Sequence, residues 1–137
     1  MVAKISSNNS LFGTLLYNQK KIEKDEAKLL SSKNVYERTE GSFSMQTTLK
    51  SFEPYLVANK RTEKPIFHVS LNPSPKDNLT DEQYREIADR YMKDMGYENQ
   101  PYVVFKHTDI ARMHLHIVST RVGENGKKLD SNFENMR

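Results

Sequence analysis

Three segments in the second half of the chain have patterns of apolar positions that predict β-strands. In PIFHVSLNP, residues 65–73, the odd positions from 67 to 71 are apolar and the even positions from 68 to 72 are polar. The other two segments are PYVVFKH, residues 101–107, and MHLHIVSTRV, residues 113–122. Because only five residues separate the last two segments, we expect them to form an antiparallel hairpin.

Apolar residues at helical spacing predict three helices. Ser10 is the expected N-cap of the first helix, and Thr80 with Gln83 has the spacing of a capping box for the third. Pro54 predicts a kink or an early end in the second helix, and Gly96 is the expected end of the third. The three stripes are Leu11, Leu15, Asn18 and Ile22; Met45, Leu49, Phe52 and Leu56; and Tyr84, Ile87, Ala88, Tyr91, Met92 and Met95.

The remaining segments have weaker patterns. MVAKI at the N-terminus predicts a first strand, and NVYERTEG, residues 34–41, is read as a short strand. The charged run KKIEKDEAKLL, residues 20–30, is interpreted as a solvated helical surface or a linker. The resulting order of elements predicts an α+β fold, a mostly antiparallel β-sheet with helices packed on one face.

The composition excludes several classes of protein but does not identify a function. A length of 137 residues suits one domain, and no apolar run approaches the roughly 18 residues of a membrane span. The N-terminus lacks a signal-peptide core, and the chain has no cysteine for a disulfide or a Cys-based zinc site. We therefore expect a cytoplasmic protein. The net charge of +3 is compatible with a nucleic-acid partner but does not require one.

The last residues predict a helix that starts where the sequence ends. Ser131 and Glu134 have the spacing of a capping box. Phe133 and Met136 would begin an apolar stripe on the same helix, and the sequence ends at the next residue, Arg137. We therefore expect residues 1–137 to be a single domain at the N-terminus of a longer protein.

Three of the four histidines lie in the proposed hairpin, at His107, His114 and His116. Alternation along a strand places His114 and His116 on one face. If His107 lies opposite His114, their Cβ atoms are roughly 5 Å apart and the three imidazoles converge. A shift of one residue would send His107 to the other face.

A lone histidine on a strand is usually a packed or surface residue, but this spacing favours a metal site with open positions. Asp109 is then expected to hydrogen-bond a ligand imidazole.

The run from His107 through Asp109 to His114 and His116 resembles the third motif of relaxases. These are the mobilisation nucleases of plasmids and conjugative elements, in the His-hydrophobe-His endonuclease superfamily. The segments FHVSLNPSP and LTDEQY are also similar to relaxase sequences. Relaxases carry an active tyrosine in or beside the first helix, where GTLLYNQKKI offers Tyr17.

The resemblance implies a relaxase-like catalytic core and a defined reaction on single-stranded DNA at a transfer origin. The three histidines would hold a divalent metal that polarises the scissile phosphate. Tyr17 would attack phosphorus, giving a 5′-phosphotyrosine link and a free 3′-hydroxyl. Asp109 would act as a base or orient a histidine. Phosphate chemistry favours Mn²⁺ or Mg²⁺, although imidazole ligands also suit Zn²⁺.

DNA contacts are expected from basic residues around the motif, at Lys106, Arg112 and Arg121, and from His68 on the polar face of its strand. The alternative for each basic residue is a role in solubility alone. His68 could equally support the site or have a structural role. Accessory mobilisation proteins are further expected partners, and the sequence leaves the oligomeric state open.

Other functions fit part of the same pattern. A non-catalytic DNA-binding module could use the histidines to hold Zn²⁺, and a replication initiator of the same superfamily would share the chemistry. Initiators usually carry their tyrosine after the histidine motif, which is not the position of Tyr17. Histidine-triad hydrolases need a third alternating histidine where this chain has Val118, and two-histidine phosphoesterases need a second His-x-Ser/Thr motif.

Overall fold

The computed structural model describes residues 2–35, 43–58, 64–74, 78–108 and 113–123. Within these residues the chain forms five strands and three helices. In chain order they are β1 (Val2–Asn8), α1 (Leu11–Glu23), β2 (Ala27–Lys33), α2 (Met45–Ala58), β3 (Ile66–Asn72), α3 (Asp81–Asp94), β4 (Tyr102–His107) and β5 (His114–Thr120). The predicted capping box at 131–134 and most of the segment 34–41 lie outside the described residues.

The strands form one sheet in the order β1-β3-β5-β4-β2, and every neighbouring pair is antiparallel. The predicted α+β class with an antiparallel sheet is therefore confirmed. β4 and β5 are consecutive in the chain and adjacent in the sheet, as a hairpin requires. β5 is the middle strand, so its backbone pairs with β3 on one side and β4 on the other.

Helices pack on both faces of this sheet, which corrects the expectation of one covered face. The α3 face carries Val104, Leu115 and Ile117 in one apolar cluster with α3. The α1–α2 face carries Val103 and Phe105 in a second cluster with α1 and α2. Consecutive residues of β4 are buried on opposite sides, and a strand buried on both faces needs a cover on each.

The predicted helix boundaries are confirmed where capping residues fix them. The Ser10 side chain accepts a hydrogen bond from the Gly13 backbone N–H at the start of α1. Thr80 and Gln83 form both hydrogen bonds of the capping box, and Gly96 has a φ of 87° after α3. Pro54 does not end α2 early, since that helix continues to Ala58.

β2 replaces the solvated helix or linker that the charged run had suggested. α1 ends at Glu23, Asp25 adopts a positive φ of 61°, and Ala27–Lys33 pairs with β4. β2 is an edge strand, and exposed lysines at Lys28 and Lys33 are typical of protected edges. This use of lysine made the strand resemble a surface helix in the sequence. No helix in the described part of the chain is long and apolar enough to cross a membrane.

An ion-pair cluster ties the start of α3 to two strands. The Asp81 carboxylate accepts hydrogen bonds from Lys28 on β2 and from Lys106 on β4, the latter at 2.8 Å. These two lysines lower the pKa of Asp81 from its ordinary 3.8 to about 2. The carboxylate therefore stabilises the folded state only while it is ionised.

This lowered pKa predicts a pH-dependent contribution to stability that Asp81→Asn removes. The unfolded chain takes up the proton first, so the stabilisation is complete above about pH 4 and is lost as the pH falls towards about 2. Above about pH 4 the free energy of unfolding of the wild type should exceed that of Asp81→Asn by roughly 1 kcal/mol, because the charged groups are partly exposed to solvent. Urea denaturation of both proteins between pH 5 and pH 2 measures it. A difference that stays constant over this range would contradict the assignment.

Candidate metal centre

The register of β4 against β5 brings the three clustered histidines together. His107 lies directly opposite His114, which is the register that convergence of the three imidazoles requires, and His116 follows on the same face. Ring centroids are 5.2 Å apart for His107 and His114, and 4.0 Å for His107 and His116. One ring nitrogen from each histidine lies within 4.8 Å of the other two. His107 is buried, and the other two are half-buried.

Asn18 on α1 fixes the orientation of the buried His107 ring. The Asn18 Nδ2 group donates to the Thr14 carbonyl oxygen at 2.9 Å, and a carbonyl can only accept. Asn18 Oδ1 therefore faces His107 Nε2, at 2.7 Å, and must accept the proton carried there. A neutral imidazole with its proton on Nε2 has a lone pair on Nδ1. That nitrogen is consequently able to bind a metal.

His68 on β3 contacts the same cluster from the other side. Its Nε2 lies 2.8 Å from His116 Nδ1, and its Nδ1 lies 3.2 Å from the Ser6 hydroxyl of β1. Burial lowers the pKa of His68 below its ordinary 6.5, which favours the neutral imidazole. Both ring nitrogens of His68 are thus engaged within the protein, and a contact of His68 with DNA stays a prediction.

These contacts leave a donor set that fits a divalent metal. Nδ1 of His107 and Nε2 of His116 remain after the hydrogen bonds to Asn18 and His68, and both atoms are buried. His114 supplies the third imidazole. A metal about 2.1 Å from each nitrogen needs neighbouring nitrogens roughly 3 Å apart. The three nitrogens already lie within 4.8 Å of one another on one face of the sheet, and a bound metal would draw them closer together.

Tyr17 lies at the exposed edge of this cluster. Its ring is 53% exposed on α1, one residue before Asn18, and stacks at 6.1 Å and 22° on the ring of His107. The Nζ atom of Lys21, one helical turn later, lies 5.7 Å from the centre of the Tyr17 ring. A solvent-accessible phenol, a cation and three imidazoles therefore share one corner of the molecule.

Other predicted site residues lie elsewhere or outside the described residues. Lys106 projects to the α3 face, where it bonds Asp81, so the sheet separates it from the histidines. Arg121 is buried beyond the end of β5, and its Nε donates to the Ser7 hydroxyl at 2.8 Å. The structure therefore does not bring these two residues together with the histidines. Asp109 and Arg112 lie outside the described residues.

Sequence reasoning missed the contacts made by Asn18, Lys21 and Ser6. A signal existed for Asn18, since this amide occupies a buried position in the apolar stripe of α1. A polar residue at such a position needs a partner. Lys21 and Ser6 carried no comparable signal, because lysine and serine are ordinary surface residues.

The Asn18 hydrogen bond predicts a loss of stability in Asn18→Ala. The substitution removes the acceptor for the buried His107 Nε2–H, and the free energy of unfolding should fall by roughly 1–3 kcal/mol. Urea denaturation without added metal measures the change. Lys20→Ala, at an exposed position of the same helix, is the matched control and should change stability by less than about 0.5 kcal/mol. Equal effects of the two variants would refute the anchoring role.

The sequence matches a known protein family over most of its length. The family model described as the relaxase, MobA/VirD2-like nuclease domain matches residues 17–137, a range that contains Tyr17 and all four histidines. No curated protein matches the chain in a sequence comparison. The family match covers most of the chain, and the clustered histidines could hold a metal ion. The chain therefore belongs to the relaxase family with MobA/VirD2-like nuclease domains, which nick DNA for mobilisation.

Proposed function

We propose that this protein is a metal-dependent relaxase that nicks one DNA strand at a transfer origin through a covalent tyrosine intermediate. The observation that carries the proposal is the position of Tyr17 at the rim of three converging imidazoles. Membership of the relaxase nuclease family supports the same reaction class. The substrate would be single-stranded DNA, and accessory mobilisation proteins are further proposed partners.

The proposed metal ligands are His107, His114 and His116. When bound, a divalent ion would polarise the scissile phosphate and offset the negative charge that develops on its oxygens. Mn²⁺ or Mg²⁺ is proposed because phosphate oxygens would complete the coordination. The residues of the chain hold the rings in place: Asn18 directs Nδ1 of His107 inwards, and His68 leaves Nε2 of His116 for the ion.

Tyr17 is the proposed nucleophile because its phenol is exposed beside the histidines. The Tyr17 oxygen would form a bond to phosphorus while the bond from phosphorus to the 3′ oxygen of the preceding nucleotide breaks. The phenolic proton would pass to a base, and the departing 3′ oxygen would end as a hydroxyl. Asp109, two residues after His107, is proposed as that base or as a residue that orients a histidine. The phosphotyrosine bond retains the energy needed to rejoin the strand.

The positive charge of Lys21 would help to hold the DNA backbone beside Tyr17. Its ammonium group lies beside the Tyr17 ring, and its ion pair with Glu26 is loose, at 3.6 Å. A cation at this point would attract the phosphate that Tyr17 attacks. Arg112, in the connection between β4 and β5, is a further proposed DNA contact.

One observation favours a second candidate function, a zinc-stabilised DNA-binding module. All three clustered ligands are neutral imidazoles, and such a donor set suits Zn²⁺. A stabilising zinc site has no use for an exposed tyrosine stacked on a ligand ring, so the arrangement favours the enzyme. A replication initiator would share the chemistry and differ in its target DNA.

The proposal predicts a covalent protein–DNA adduct that requires Tyr17. Single strands that tile the DNA flanking the gene are incubated with the protein and Mn²⁺, and denaturing electrophoresis detects the adduct. Tyr17→Phe should slow its formation by roughly 10³-fold or more, because the nucleophile is removed. Tyr55→Phe, at a half-buried tyrosine on α2, is the matched control and should leave the rate unchanged.

Chelation of the metal should abolish the adduct, and the released strand should carry a 3′-hydroxyl that a polymerase can extend. An adduct that persists in Tyr17→Phe would keep the covalent chemistry but assign it to another residue. Binding of the DNA without any adduct, in the presence of bound metal, would contradict the enzyme and favour the zinc-stabilised module.

A further inference from the structure

We propose that His68 is a positioning residue that fixes the proton of His116 on Nδ1 and thereby presents Nε2 to the metal. This inference rests on the proposed metal site and assigns a role to the fourth histidine within it. His68 lies on β3, 39 residues before His107, where the histidine motif begins, and is not part of that motif.

The geometry identifies a hydrogen bond rather than a shared metal ligand. His68 Nε2 and His116 Nδ1 are 2.8 Å apart, and their rings are nearly parallel, at 24°. A metal bound between two imidazole nitrogens would hold them at least roughly 3 Å apart, and about 4 Å if they lay on opposite sides of it. The 2.8 Å separation is the ordinary length of a hydrogen bond between two nitrogens. His68 is therefore outside the ligand set and in contact with it.

The direction of this hydrogen bond follows from the neighbours of each ring. The Nε2 atom of His116 is the buried ring nitrogen that His68 does not contact, so metal binding there requires the His116 proton to be on Nδ1. His68 Nε2 must then accept that proton. A neutral His68 consequently carries its own proton on Nδ1, where the Ser6 hydroxyl can accept it at 3.2 Å.

The sheet holds this chain of hydrogen bonds in register. Ser6 lies directly opposite His68 across β1 and β3, and β3 also pairs with the strand that carries His116. The chain therefore runs across three neighbouring strands, from β1 through β3 to β5. Each link has one donor and one acceptor, so a metal at His116 Nε2 sets the direction of both hydrogen bonds, and the Ser6 hydroxyl can accept at the far end.

The chemistry at His68 predicts different results for two substitutions. His68→Gln keeps an acceptor at the position of Nε2, because the Gln side chain reaches about as far as that ring atom. His68→Leu keeps most of the volume but removes the acceptor. Loss of a hydrogen-bond partner to a ligand histidine typically weakens metal binding by roughly 10- to 100-fold. Ser6→Ala should have a smaller effect, because it is one hydrogen bond further from the metal.

The experiment titrates Zn²⁺, a diamagnetic probe, into the wild type, His68→Leu and His68→Gln by calorimetry. His68→Leu should raise the dissociation constant by roughly 10- to 100-fold, and His68→Gln should recover most of the loss. Circular dichroism without metal checks that each variant is folded. Nitrogen NMR of the zinc-loaded wild type should show the His116 proton on Nδ1 and a proton-free Nε2 on His68, and it decides the question even if a variant does not fold.

Unchanged zinc affinity in a folded His68→Leu, or a proton on His68 Nε2 in the loaded wild type, would overturn the positioning role. The same titration separates this inference from the proposed function. A wild type that does not bind Zn²⁺ at all would overturn the proposed metal site itself. A wild type that binds Zn²⁺ with the same dissociation constant as His68→Leu would overturn only the role of His68.

Discussion

The candidate site depends on one constraint, the register between β4 and β5. Side chains of a strand alternate between faces, so a slip of one residue would move His107 away from its partners. Apolar packing on both sides of the hairpin prevents this slip. Phe105 belongs to the cluster under α1 and α2, whereas Val104 and Leu115 belong to the cluster under α3. A slip of one residue would remove Phe105 from the cluster under α1 and α2 and place Lys106 on that face instead, so core packing also selects the arrangement of the histidines.

Two hydrogen bonds extend this constraint to parts of the chain far away in the sequence. Asn18 connects α1 to His107, and His68 connects β3 to His116. Because Tyr17 precedes Asn18 in the same helix, the contact that orients His107 also fixes where Tyr17 stands relative to the imidazoles. The stability of the first helix and the geometry of the site are therefore coupled through a single buried amide.

The sequence predicted those features that local signals determine. The capping residues of α1 and α3 and the hairpin follow from spacing within short segments, whereas the five-residue connection left the register of His107 against His114 open by one residue. β2 was missed because an edge strand with lysines has the composition of a surface helix. The two covered faces were missed because the order of strands in the sheet depends on packing between distant segments. For the same reason the polar face of β3 was recognised, but the contact of His68 with His116 could not be predicted before β3 was placed beside β5.

The position of a bound metal tests the proposed site most directly. Crystals of the protein grown with Mn²⁺, measured at a wavelength where manganese scatters anomalously, would show the ion as a peak in the anomalous map. We expect one peak in contact with Nδ1 of His107, Nε2 of His116 and the ring of His114, with Tyr17 at its open side. A peak held by other residues, or coordination by Nε2 of His107 instead of Nδ1, would contradict this expectation.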